Sequence, residues 1–130
     1  MNNAEQHVRG EFICVVCPNG CAIDAEFVKG PPPRLIAFSG AACKRGEAWI
    51  LQEIEQPMRT IASNVLVRGG DCINASVRTS KPIPLDAVPA VMEAVRGVVL
   101  TAPVHIGQVV VAAPAGTDTD IIATRNVAAI

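Results

Sequence analysis

The chain has 130 residues, a formal net charge of −1 and an apolar half in which only Phe12, Phe27, Phe38 and Trp49 are aromatic. Such a length makes one ordinary domain or two very small ones, with a core of Val, Ile, Ala and Leu that buries less area per residue than an aromatic one. The near-neutral charge excludes a global electrostatic footprint for nucleic acid or an anionic membrane, and the densest apolar run, GQVVVAAPAG, is too short to span a bilayer.

In chain order, residues 1–9 carry neither a basic nor an apolar signal region and are expected to form a flexible lead. Glu11 to Cys14 is a brief apolar approach to the loop CVVCPNGC. Ile23, Ala25 and Phe27 then alternate with Asp24 and Glu26, the pattern of a half-buried strand. Lys29-Gly30-Pro31-Pro32-Pro33-Arg34 must turn, and Leu35 to Phe38 is the return strand. Gly46 to Glu55 has helical spacing at Trp49, Ile50 and Ile54, closed by Pro57. Strands follow at Ile61 to Val67 and Cys72 to Thr79, linked through Arg68-Gly69-Gly70-Asp71. A second helix is predicted with Asp86 as N-cap, Pro89 in its first turn, Gly97 past its end and a core stripe of Val88, Val91, Met92 and Val95. Three short strands complete the chain near Val98 to Leu100, Gln108 to Val111 and Ile121 to Ala123. The expected class is therefore α+β: a cysteine-rich loop, hairpin and short helix at residues 10–60, then a small mixed part at residues 61–130.

Chemistry concentrates in the cysteines. CVVCPNGC places Cys14, Cys17 and Cys21 within eight positions, and the hairpin should return Cys43 to the same loop, giving C-x2-C-x3-C-x21-C. Three uses of four converging thiolates are open. A [4Fe-4S] cluster takes three cysteines from a compact loop and one from elsewhere. A structural zinc takes four, usually from two paired knuckles, whereas the second half here supplies one. A redox C-x-x-C would use Cys14 and Cys17 and leave Cys21 and Cys43 without a task. Around the quartet, Gly20 lets the loop fold sharply, Lys44 and Arg45 offer positive charge to a negative cluster, and Trp49 is placed to shield it from water.

The stretch from Cys14 to Arg59 resembles the N-terminal [4Fe-4S] segment of molybdopterin-dependent oxidoreductases, through C-x2-C-x3-C, Cys43-Lys44-Arg45-Gly46, Pro57 and Arg59. The pterin-binding part of those enzymes has no counterpart here. From Phe12 to Val127 the chain is similar to small bacterial and archaeal CxxC-motif proteins of unassigned activity, commonly encoded beside FAD-dependent oxidoreductases of the glycerol-3-phosphate dehydrogenase type. CVVCPNGC, CKRGEAW, EQPMRT, VRTSKPIPLDAV, APVHIGQVV and DIIATRNV carry that likeness. A longer lead, and Trp49 in place of the usual tyrosine, depart from it. The resemblance implies an iron–sulfur subunit relaying electrons for a flavoenzyme.

Other side chains have plainer readings. Cys72 is expected as a small apolar filler, and His7 and His105 as structural or solvated. Asp24 with Glu26, and Asp118 with Asp120, read as a solvated strand face and a turn. No phosphate loop, nucleophile elbow or dinucleotide fingerprint occurs. The expectation is an accessory electron-transfer subunit, cytoplasmic and hetero-oligomeric, carrying one [4Fe-4S] cluster on Cys14, Cys17, Cys21 and Cys43 beside an FAD-dependent oxidoreductase. The alternative is a structural zinc module of a multi-subunit complex.

Overall fold

The computed structural model describes residues 6–130 and is α+β, with two helices and ten strands in three sheets among those residues. The chain divides into two compact units, one ending at Pro57 and the other running from Met58 to Ile130.

The first unit is a three-stranded antiparallel sheet with one helix. Strands β1 (His7–Ile13), β2 (Ala22–Val28) and β3 (Arg34–Ser39) lie in that order, and α1 (Lys44–Glu55) follows. His7 to Arg9, expected in the flexible lead, form the start of β1 and pair with Val28 to Glu26 of β2. The Gln6 carbonyl accepts the Lys29 amide just before the strand, and residues 1–5 of that predicted lead lie outside the described residues. The period-2 pattern of β2 turns Ile23 and Ala25 inward, where Ile50 and Ile54 of α1 meet them. Phe12 and Phe27 pack edge to face beside this core, with ring centroids 6.0 Å apart. At the far end of α1, the Glu55 carboxylate accepts the Leu35 amide at 3.0 Å and ties the helix to β3.

The second unit holds a five-stranded sheet of β5 (Ala62–Arg68), β6 (Asn74–Thr79), β8 (Val99–Thr101), β9 (Val109–Ala112) and β10 (Asp120–Ala123), in the order β8-β5-β6-β10-β9. All neighbours are antiparallel except β8, which lies parallel to β5 after a crossover through α2 (Val88–Arg96). A two-stranded pair, β4 (Met58–Arg59) with β7 (Ile83–Pro84), was not legible in the sequence. Asp86 does not cap α2. It lies in a 3₁₀ turn, Leu85–Ala87, and Ala87 takes the N-cap without a side-chain bond. Pro89 in the first turn and Gly97 at the C-cap stand where expected.

Alternate residues of β5, β6 and β10 face Val91 and Val95 of α2 in one apolar core. The C-terminal segment closes it: Val127 is buried and exchanges backbone hydrogen bonds with Val104 at 2.8 and 2.9 Å. Ile121 is fully buried here, so Ile121→Ala should destabilise the second unit by about 2–5 kcal/mol, read as a lowered midpoint in chemical denaturation.

Candidate metal centre

Antiparallel pairing of β2 with β3 sets the register Asp24↔Ser39, which returns the chain to the start of β2. Gly40 then crosses Ala22 so closely that a Cβ there would fall 2.3 Å from the Ala22 carbonyl oxygen, and its φ is +98°. Only glycine meets both conditions. Ala41, Ala42 and Cys43 continue along the wall of the cysteine loop. That loop is closed by the Cys14 amide donating to the Cys21 carbonyl at 2.9 Å, with Gly20 at φ +59° making the sharp turn.

Cys14, Cys17, Cys21 and Cys43 line one cavity of about 130 Å³, together with Val16, Asn19, Gly20, Ile23, Ala41, Ala42 and Gly46. Cys14 is buried, Cys17 and Cys21 are half-buried, and Cys43 is exposed. The four cysteines thus share the walls of one cavity. Among the described residues, no three His, Cys, Asp or Glu side chains gather closely enough to hold a metal ion. Four sulfurs bound at ~2.3 Å to one zinc would stand about 3.8 Å apart. A cavity of roughly 150 Å³, by contrast, accepts a molecule the size of benzene. The space among the cysteines is thus on the scale of a group of several atoms.

Cys43 is the N-cap of α1, and its carbonyl accepts the Glu47 amide at 3.1 Å. Its Sγ closes no well-formed capping hydrogen bond. It nonetheless faces the opening turn: the backbone N–H of Gly46, then that of Arg45, hold the thiol below its ordinary pKa, outweighing desolvation. The Arg45 side chain adds to the same direction.

The other residues singled out from the sequence are spread more widely. Lys44 and Arg45 are exposed and open α1, outside the cavity lining. Trp49 packs half-buried against the core of the first unit and is not among the lining residues either. His7 Nδ1 lies 3.5 Å from the Glu26 carboxylate, and Arg9 lies 3.8 Å from it, on the outer sheet face that Asp24 shares. His105 is an exposed residue of the second unit, and the Asp120 carboxylate accepts the Ala113 amide. Cys72 sits half-buried in the β5–β6 link against the second core, and its Sγ accepts a hydrogen bond from the Arg125 guanidinium at 2.8 Å. It is thus more than apolar filler, and nothing in the local sequence announces its partner 53 residues away. Gly46 starts the helix expected from the sequence and lines the cavity as well, a role that its motif does not announce. Its position four residues before Ile50 is the signal that it faces inward.

Residues 44–125, well over half of the chain, match a family described as "Protein of unknown function (DUF1667)". The chain belongs to this family. The matched region opens at Lys44, directly after Cys43, and spans α1 and the sheet of the second unit. No curated protein and no solved structure matches the chain. Among the described residues, no helix is long and apolar enough to cross a membrane.

Because its pKa is lowered, Cys43 should exist as thiolate at pH values where an ordinary thiol is protonated. In metal-free protein, its alkylation by iodoacetamide should therefore show an inflection below that of a free cysteine. Arg45→Ala should move the inflection upward and leave it below the free value, since the first cause is the Gly46 amide.

Proposed function

We propose that Cys14, Cys17, Cys21 and Cys43 hold one [4Fe-4S] cluster and that the protein relays electrons for an FAD-dependent oxidoreductase partner. The observation that carries this reading is the single cavity with all four cysteines on its walls. The donor set fits the group: four thiols and no competing imidazole or carboxylate line that space. When bound, a cluster of this kind accepts and releases single electrons.

The chain's own residues supply the setting. Cys14 anchors the buried side and Cys43 the exposed side, where the first-turn amides of α1 favour the thiolate required of a ligand. Val16, Ile23, Ala41 and Ala42 keep the walls apolar, which limits water at the sulfurs. Ile13, Val15 and Val16 are exposed on and beside the cysteine loop, Val15 at 73 %. Apolar surface of that kind is suited to burial against a partner close to the electron-carrying centre. A hetero-oligomer follows, placed in the cytoplasm because clustered cysteines serve as ligands in reducing compartments.

Anaerobic purification followed by iron, sulfide and zinc quantification tests the reading. About four irons and four sulfides per chain are expected, with an EPR signal after reduction. Cys43→Ala should lower both contents and slow electron transfer to or from the flavoprotein. One zinc per chain with no sulfide would overturn the proposal and leave a zinc-held scaffold in its place.

A further inference from the structure

The buried stripe of α1 consists of Gly46, Ile50 and Ile54, spaced i, i+4 and i+8 along one helix face. Isoleucine fills two of these places. The third, nearest the cysteines, has no side chain. Glycine favours helix formation less than alanine does, and Gly46 is buried in the first turn of α1, so the absence of a side chain there needs a cause.

Neither of the common causes applies. The backbone at Gly46 is helical, so no left-handed conformation demands glycine. Packing does not demand it: a Cβ would lie 3.6 Å from Cys14 Sγ and 3.7 Å from the Ala41 Cβ, both ordinary contacts. At Gly30, Gly40 and Gly70 the same construction falls 2.1, 2.3 and 2.6 Å from another atom. Cys14, Ala41 and Gly46 all line the four-cysteine cavity. What a methyl at position 46 would take up is space inside that cavity.

We infer that Gly46 is a specificity-determining residue, reserving volume among Cys14, Cys17, Cys21 and Cys43 for a multi-atom iron–sulfur cluster in preference to a single zinc ion. A single zinc ion with bonds of ~2.3 Å occupies far less space than a cluster of several atoms and makes no demand on that volume. The inference rests on the cluster proposed above.

The test compares the full-length chain with Gly46→Ala and with the double variant Gly46→Ala/Ala41→Gly, which removes a methyl from the adjacent wall. Each is reconstituted anaerobically, with iron and sulfide or with zinc, and metal and sulfide contents are measured. Hydrogen exchange of the α1 amides is followed in the metal-free chains. Gly46→Ala should keep or raise α1 protection, bind zinc as the parent does, and retain several-fold less iron and sulfide. The double variant should recover most of the loss. Wild-type cluster content in Gly46→Ala would overturn the inference. So would lost α1 protection or an equal loss of zinc, since glycine would then serve the loop or the helix itself. A double variant no better than the single one would do the same, because volume would not be the cause. If the unsubstituted chain takes up zinc but no iron and sulfide, the cluster proposal itself fails, a result visible without any substitution.

Discussion

The close approach of Gly40 to the Ala22 carbonyl, at the base of the β2–β3 hairpin, is the contact on which the cysteine end of the molecule depends. Antiparallel pairing can bring the two strand ends together only as far as side chains allow. A Cβ at position 40 would stand 2.3 Å from that oxygen, so any other residue would push the returning chain away from the loop. With glycine there, Ala41 to Cys43 pass directly along the wall formed by Cys14, Cys17 and Cys21. The 21 residues separating Cys21 from Cys43 then cost little in precision, because the hairpin and not the loop length sets their distance.

Helix α1 completes what the hairpin begins. Its first turn points amide donors at Cys43, its buried stripe covers Ile23 and Ala25, and its last residue is held to β3 by the Glu55 carboxylate. One helix therefore sets the thiol chemistry at its start and the packing of the unit along its length. The core it covers is small: Cys14, Ile23, Ala25, Ile50 and Ile54 are its buried members. The proposed cluster, tying loop, strand end and helix start together, would add its binding free energy to the stability of so limited a core.

The second unit rests on different grounds. Its core of Val, Ala and Ile from β5, β6, β10 and α2 is continuous, and its two buried polar residues are satisfied locally. Thr79 Oγ1 accepts the Ile61 amide and Thr119 Oγ1 accepts the Lys81 amide, each fixing a strand end. The family match, from Lys44 to Arg125, takes in α1 of the first unit and most of this scaffold, with Cys14, Cys17, Cys21 and Cys43 preceding it in the chain.

Local order is what the sequence by itself determined. Alternation marked β2, the turn residues on either side marked β3, β5 and β6, and the 3.6-residue period marked α1 and α2, because each signal is carried by one short stretch of chain. The gathering of Cys43 with the other three was legible for a related reason: a hairpin between prolines and glycines has one simple return path. Only the tertiary structure decided the pairing of β1 with β2, the β4–β7 pair, the place of β8 beside β5, and the hydrogen bond from Arg125 to Cys72. These depend on which distant faces meet, and no local period encodes that choice. The space beside Gly46 belongs to the same class, since an unfilled volume is defined by all of its walls at once and by no one stretch of chain.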